Sequence, residues 1–254
     1  MSKTGSKILG TFFFVLLIFL LFYLILLPKK MIKKRITKIE LIGNNFLLQN
    51  DYLKQTKLLG VSDYNELSLA VIKDRLEKHP YISKADVETK GKEINAYITE
   101  RKMIGLILKG TELYFVSDNF EILPLMPNTK LIDLPVISNP DEKIKPFDFI
   151  KNEDLIDAVK IIETTKLIDD AMLNRLSEIN LRNGGDIILT FSGYHVPVIL
   201  GRGNEAKKMV YLESFLKNQN LNEMAKNTSY IDLRFAGNIY IGPSSSGQNT
   251  GTAE

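Results

Sequence analysis

The residues able to do acid–base or metal chemistry are few and scattered along this chain. It holds two histidines, His79 and His195, and no cysteine. Neither histidine lies in an H-E-x-x-H or similar spacing, and a zinc site needs several ligands at short spacings. His79 precedes Pro80 where a helix is predicted to end, a position that suits a cationic or polar side chain because of the helix dipole. The pattern argues against metal or thiol catalysis and excludes disulfides.

A glycine-rich segment has the spacing of a dinucleotide-binding loop. Residues 201–206 read G-R-G-N-E-A, which fits G-x-G-x-x-[GA] between a predicted strand and a predicted helix. The next predicted strand lies close to residue 254, so we expect no full nucleotide-binding sheet to follow. Glu205 would also place negative charge where the start of a helix should meet a phosphate. We therefore interpret the segment as a tight glycine turn with Asn204 as the helix cap, and we predict no cofactor.

Paired carboxylates and serines give no further catalytic pattern. Asp169-Asp170 and Asp141-Glu142 lie in polar stretches and are interpreted as solvated surface or helix caps rather than a general acid–base pair. No G-x-S-x-G nucleophile elbow occurs, although a Ser-His-Asp triad assembled through space stays open. We predict that the protein is not an enzyme, and a membrane-anchored hydrolase is the less favoured alternative.

An apolar run near the N-terminus sets the first boundary. Residues 8–27 are twenty positions without a charge, and as a helix they would span roughly 30 Å, the core of a bilayer. The run exceeds the apolar core of a signal peptide and no small-x-small cleavage site follows, so we predict an uncleaved transmembrane helix between a short tail, 1–7, and a basic linker, 28–35. Two basic residues precede the run and five follow it. Charge counting alone would place the C-terminal side in the cytoplasm.

The rest of the chain predicts an α+β fold in two units. The formal net charge of +3 comes mostly from the basic linker, so nothing indicates a nucleic-acid partner. In residues 36–103, period-two and period-3.6 apolar patterns predict the order strand, helix, helix, strand, strand. Ser68 is expected to cap the second helix and His79-Pro80 to end it.

The second unit, 104–242, is predicted to be rich in β-structure, with an antiparallel sheet and flanking helices. A turn at 183–185 joins two strands in a hairpin, and 205–218 form an amphipathic helix. Five prolines between 124 and 146 exclude, in this interpretation, a central strand there. The last strands are predicted at 230–235 and 239–241, followed by a disordered tail, 243–254, rich in Ser, Gly and Thr.

Four phrases resemble the FtsQ/DivIB family of bacterial cell-division proteins. They are residues 39–44 (I-E-L-I-G-N), 79–87 (H-P-Y-I-S-K-A-D-V), 98–105 (I-T-E-R-K-M-I-G) and 230–235 (Y-I-D-L-R-F), to which the Leu200-Gly201 step adds. Met103 stands where the family usually has proline. The order of elements over about residues 8 to 241 is similar to the family's layout of a short tail, one membrane helix, a POTRA-type βααββ domain and a β domain.

The resemblance implies a scaffold of the division machinery. It would sit at the septum with its N-terminus in the cytoplasm and its bulk in the periplasm or outside the cell, and it would bind chiefly the FtsB–FtsL coiled-coil pair. It also implies that partner binding uses the last β-strands. An edge strand exposes unpaired N–H and C=O groups to which a partner strand can add. The predicted partner-binding residues are Arg234, Phe235, Ile239, Tyr240 and Ile241.

Other interpretations stay open at this point. Phe235 and Ile239 could be core residues, and Arg234 could pair with an internal acid; for Ile231, Leu233 and Phe235 as a set we favour the core. The second helix of the first unit, 69–78, is a candidate docking face for another partner. An adaptor of a different envelope-assembly complex is the alternative function.

Overall fold

A computed structural model describes residues 3–26, 38–60, 64, 67–130, 132–141, 143–219, 226–235 and 237–243. The predicted linker at 28–35 lies outside the described residues, as does the predicted tail apart from Pro243. Helix α1 is Lys3–Leu26, so it begins inside the stretch predicted as a tail. Within the described part of the chain, no helix combines the length and apolar character needed to cross a lipid bilayer. The anchor predicted at 8–27 extends beyond the side chains described in α1, and it stays a prediction.

The first unit has the predicted order of elements. They are β1 (Lys38–Ile42), α2 (Gln49–Gln55), α3 (Leu69–Glu77), β2 (Ile82–Lys90) and β3 (Glu93–Glu100). β3 lies in the centre, parallel to β1 and antiparallel to β2. Alternation places Ile94, Ala96 and Ile98 of β3 in the core. The predicted cap is confirmed, because Ser68 Oγ accepts from the N–H of Val71 (3.3 Å) at the start of α3.

The described strands of the second unit form one sheet of nine. They are β4 (Met103–Lys109), β5 (Glu112–Ser117), β6 (Ile122–Pro124), β7 (Val136–Ser138), β8 (Leu176–Asn180), β9 (Ile188–Phe191), β10 (Tyr194–Ile199), β11 (Thr228–Asp232) and β12 (Tyr240–Pro243). Their order is β12-β11-β10-β9-β8-β7-β4-β5-β6. The helices are α4 (Glu153–Ile168), α5 (Asp170–Arg175) and α6 (Glu205–Lys217). The predicted α+β class is confirmed.

One face of this sheet is covered by α4 and α6. The predicted hairpin is present as the antiparallel pair β8–β9. β10 and β11 are parallel, and α6 forms the connection between them. Leu189 and Val198 of the sheet share a buried cluster with Val159 of α4 and with Met209 and Leu212 of α6. This packing fixes β11, and with it β12, at one end of the sheet.

The prediction that no central strand lies among the prolines was wrong. β7 sits between Pro135 and Pro140 and pairs in parallel with both β4 and β8. The prolines flank the strand and do not interrupt it. Pro135 contributes its carbonyl, which accepts from the N–H of Leu106 (2.9 Å). Proline has no backbone N–H to donate. A strand of three residues can therefore be central when the prolines lie outside the residues that pair with the neighbouring strands.

Several contacts join the two units. Tyr81 OH donates to the carbonyl of Pro124 (3.0 Å) and accepts from the N–H of Met126 (2.8 Å). Phe115 of β5 packs edge-on against Tyr81 and belongs to the core of the first unit. Arg101 Nη1 lies 2.6 Å from Glu121 Oε2. The domain boundary at residue 103 stays a prediction.

Candidate functional site

The two edges of the nine-stranded sheet differ in what covers them. Outside β6 the chain returns at 147–150, where Phe147 N–H donates to the carbonyl of Ile122 (2.7 Å) and Ile122 N–H donates to that of Asp148 (2.9 Å). At the opposite edge β12 pairs with β11 alone, as far as the described chain extends. β12 therefore presents an outward row of N–H and C=O groups, to which a further strand can add.

The segment that follows β11 leaves the core within a few residues. Ile231 and Leu233 are buried, and Leu233 N–H donates to the carbonyl of Ile199 (2.9 Å). β11 ends at Asp232, and Phe235 is 55% exposed. The core interpretation holds for Ile231 and Leu233 and was wrong for Phe235, because the strand alternation that would turn it inward stops before it.

Arg234 is oriented by two carboxylates. Its main-chain N–H and its Nε donate to Asp232 Oδ1 (2.9 and 3.0 Å), and its Nη2 donates to Asp232 Oδ2 (2.6 Å). Its Nη1 donates to Asp186 Oδ2 (3.1 Å). Hydrogen bonding by Arg234 holds the pKa of the buried Asp232 carboxyl below its usual range. The pairing with an internal acid is thus present, while the Arg234 side chain keeps 44% exposure at the sheet edge.

Gly201 makes room for that arginine. A Cβ added at Gly201 would lie 2.7 Å from Arg234 Cγ, and φ is +67°, a backbone region that favours glycine. Gly201, just after β10, therefore lets the Arg234 side chain pack directly against the main chain.

Two exposed aromatic side chains of this edge contact each other. The rings of Phe235 and Tyr240 meet edge to face with centroids 5.2 Å apart. Tyr240 is 51% and Ile241 48% exposed. Ile239 is partly buried against the core of the second unit, so it supports the turn. Four of the five predicted residues, Arg234 among them, are thus exposed at this edge of the sheet.

Helix α6 and the loop before it contribute side chains that were not among the predicted site residues. Tyr211, Lys207 and Arg202 line, with Arg234 and Phe235, a depression of about 170 Å³ beside the edge. Lys207 Nζ lies 5.6 Å from the Tyr211 ring centroid. One sequence signal could have identified this surface: Tyr211 is an aromatic residue that lies outside the buried face of the amphipathic helix α6.

The glycine loop at 201–206 already uses its polar groups internally. Gly203 N–H donates to Glu205 Oε1, and the buried amine of Lys208 donates to two loop carbonyls (2.8 and 3.1 Å). Asn204 has φ +59° and makes no side-chain cap to α6, so that part of the prediction was wrong. Because the Gly203 N–H is already hydrogen-bonded, it is not free to bind a phosphate. The geometry supports the turn interpretation.

His79 is a buried structural residue. Its Nδ1 accepts from the N–H of Tyr81 (3.1 Å), so its Nε2–H donates to Gln55 Oε1 (2.6 Å). Burial lowers the pKa of His79 to about 4, so at neutral pH it fits the polar part of the expectation at this helix end and not the cationic part. His195 lies in β10, and its side chain is outside the described residues.

The acidic pairs do not form a described catalytic centre. Asp169 Oδ1 accepts from the N–H of Ala171 (2.8 Å) and caps α5, as the helix-cap interpretation expected. Glu142 lies outside the described residues. Among the side chains that are described, no group of three or more histidines and carboxylates could hold a metal ion.

Two comparisons with known proteins bear on this architecture. A family model described as "Cell division protein FtsQ/DivIB, C-terminal" matches residues 105–234, just over half of the chain. The match runs from β4 to the end of β11 and stops before β12. A relative from Geotalea daltonii, "Cell division protein FtsQ", is 24% identical over 197 residues, which cover 74% of this chain and 70% of the relative.

Proposed function

The chain belongs to the FtsQ/DivIB family of cell division proteins, and on that premise we propose that it is a non-catalytic, membrane-anchored scaffold. In this role it recruits other division proteins to the septum through its second unit. The observation that carries the proposal is the contrast between the sheet edges: the chain itself covers β6, and no described segment covers β12.

The partner proposed for β12 is the FtsB–FtsL coiled-coil pair. A short partner strand beside β12 would pair with its outward backbone groups, which gives affinity without requiring a deep pocket. Phe235, Tyr240 and Ile241 offer apolar contacts, and Lys207 offers a cation without a described carboxylate partner, whereas the charge of Arg234 is already balanced by Asp232 and Asp186. The edge therefore favours a strand that carries apolar and acidic side chains.

Proline substitution tests the pairing without depending on side-chain contacts. Neighbouring N–H groups of a strand point to opposite sides, so one of Tyr240→Pro and Ile241→Pro removes an outward donor and leaves the β11 pairing intact. The full-length protein in detergent is used to capture the FtsB–FtsL pair of the same organism. We expect that the variant that keeps its circular dichroism spectrum and melting temperature loses capture.

A side-chain control uses the opposite edge of the same sheet. Phe149 is 55% exposed, as is Phe235, but it lies in the segment that covers β6. Phe149→Ser should capture the partner as well as the unmodified protein does. Undiminished capture by the proline variant that keeps its fold would count against strand addition at β12.

We also propose that residues 8–27 anchor the protein with its N-terminus in the cytoplasm. Support comes from the length of the apolar run and from the family, and the charges that flank the run oppose it. Because the chain has no cysteine, Ser6→Cys and Ser177→Cys place a unique thiol on either side of the proposed anchor. A membrane-impermeant maleimide should label the exposed position 177, and not position 6, in cells whose outer barrier is opened.

A further inference from the structure

A broad groove lies at the junction of the two units, far along the chain from β12. Its walls are the ends of α2 and α3 on one side and residues 126–128 on the other, and it encloses about 900 Å³. Thr56 and His79 are buried at its base. The groove is built from both units, so its shape depends on how they are joined.

Cations dominate its lining. Lys54, Lys57, Arg75 and Lys78 all border the groove, and among the described lining residues Asp51 is the one carboxylate. Lys78 is paired with an aspartate on its own helix (2.6 Å). Within the described chain, the other three cations have no carboxylate partner. Because no described carboxylate pairs with them, these cations create a local positive potential that attracts an acidic ligand.

The ends of α2 and α3 explain only part of this charge. A lysine in the last turn of a helix interacts favourably with the helix dipole, which accounts for Lys54 and Lys78. Lys57 differs, because it occupies the left-handed position after α2 with φ +56°. The bonds from Lys57 N–H to the carbonyl of Lys54 (3.2 Å) and from Leu58 N–H to that of Leu53 (2.7 Å) form a Schellman motif, in which glycine is usual at this position. A lysine there is less favourable than glycine, and it adds a charge to the lining of the groove.

The remaining lining is held in place and includes an apolar wall. Asp51 Oδ1 accepts from Asn128 Nδ2 (3.2 Å) across the groove. Met126 is fixed through its N–H bond to Tyr81 OH, and with Pro127 it supplies apolar surface. Arg75 Nη1 donates to the carbonyl of Lys57 (3.1 Å), which directs the guanidinium along the groove. Because these hydrogen bonds hold the lining residues in place, the groove needs little rearrangement when a ligand binds.

We propose that this groove binds an acidic peptide segment of a partner protein, a second interaction surface that does not rest on the β12 edge. The cations are spread around the groove and do not converge on one position. The helix ends at the groove present carbonyl groups rather than N–H groups, so they do not form a binding site for a single phosphate. The described lining holds no phenylalanine, tyrosine or tryptophan ring for base stacking, and the His79 ring is buried. Distributed cations beside Met126 and Pro127 suit carboxylates interspersed with apolar side chains.

The test measures binding of two synthetic peptides to the full-length protein in a nonionic detergent. One fluorescein-labelled peptide alternates glutamate pairs with leucine, and the other has glutamine in place of glutamate. The groove variant is Lys54→Gln/Lys57→Gly, in which glycine relieves the left-handed position and preserves the fold. The control variant, Lys90→Gln/Lys92→Gln, changes net charge equally on the exposed β2–β3 turn.

We expect saturable binding of the glutamate peptide, weakened on the order of tenfold in the groove variant and less than about twofold in the control. Affinity should also fall as salt is raised. Absence of saturable binding up to about 1 mM, equal binding of the glutamine peptide, or equal losses in both variants would overturn the proposal. Tighter binding of inorganic tripolyphosphate at the groove would replace the peptide with a phosphate ligand and overturn it too. Failure of the β12 tests leaves these outcomes unaffected.

Discussion

The ring of Phe235 meets the edge of the Tyr240 ring across the β11–β12 turn, with centroids 5.2 Å apart, although each side chain is more than half exposed. Aromatic pairs of this geometry are ordinarily found in cores and interfaces, where they exclude water. An exposed pair beside an open strand edge is instead typical of a binding surface.

Removal of these rings should therefore affect binding more than folding. We expect that Phe235→Ser and Tyr240→Ser each change the free energy of unfolding by less than about 1 kcal/mol, and weaken FtsB–FtsL binding about tenfold or more. Isothermal titration and thermal unfolding measure the two effects. Phe149→Ser is the matched control, and an equal loss of affinity there would show that the aromatic pair has no special role.

Gly201 should be more sensitive to alanine than its neighbour Gly203. Both have positive φ, but an added Cβ at Gly203 meets no atom within 4 Å, whereas at Gly201 it meets Arg234. We expect Gly203→Ala to cost about 1 kcal/mol from backbone strain and Gly201→Ala about 1–3 kcal/mol more from the clash. Urea unfolding measures both. Equal costs would mean that Arg234 moves aside freely.

Glu100 holds the loop between β1 and α2. Its Oε1 accepts from the N–H groups of Asn45 (2.9 Å) and Phe46 (3.0 Å) and from Tyr52 OH. Glu100→Ala should destabilise the protein by about 2–4 kcal/mol because two main-chain donors lose their acceptor. Tyr52→Phe removes one bond only and should cost about 1 kcal/mol. A smaller loss for Glu100→Ala than for Tyr52→Phe in urea unfolding would contradict this account.

Buried His79 should make stability depend on pH. Its pKa is about 4 when folded and about 6.5 when unfolded, so below pH 6.5 the unfolded chain binds the extra proton. Stability is therefore complete above about pH 6.5 and falls as pH drops towards 4, by an amount on the order of a few kcal/mol. His79→Asn keeps an acceptor for Tyr81 N–H, and it should flatten the dependence of the urea midpoint on pH. A midpoint equally pH-dependent in this variant would assign the effect to other groups.

Local patterns predicted much of the fold. Alternation identified β3 through Ile94, Ala96 and Ile98, and cap chemistry at Ser68 marked the start of α3, because these signals depend on neighbours in sequence. β7 was missed, since three residues beside prolines carry no period that separates a strand from a loop. α5 was missed for the same reason: its six residues are too few to show a helical repeat.

The candidate site was predictable only in part. Its location in the last strands came from family likeness, and the exposure of Tyr240 agreed with an edge position. Sheet order and the covering of β6 by residues 147–150 are long-range facts that no local pattern encodes. The exposure of Phe235 depends on where β11 ends, and boundaries of this kind are set by tertiary packing. The groove between the units is likewise formed by residues distant in sequence, such as Lys57 and Met126.

Pairing of a partner strand with β12 would protect backbone amides of that strand. Amide hydrogen exchange of the full-length protein, with and without the FtsB–FtsL pair, tests it at the backbone. We expect slower exchange of the outward-facing amides in Tyr240–Pro243 when the partner is bound, with residues 147–150 at the other edge unchanged. Stable partner binding that leaves exchange in β12 unaltered would contradict the claim and place the interface elsewhere on the protein.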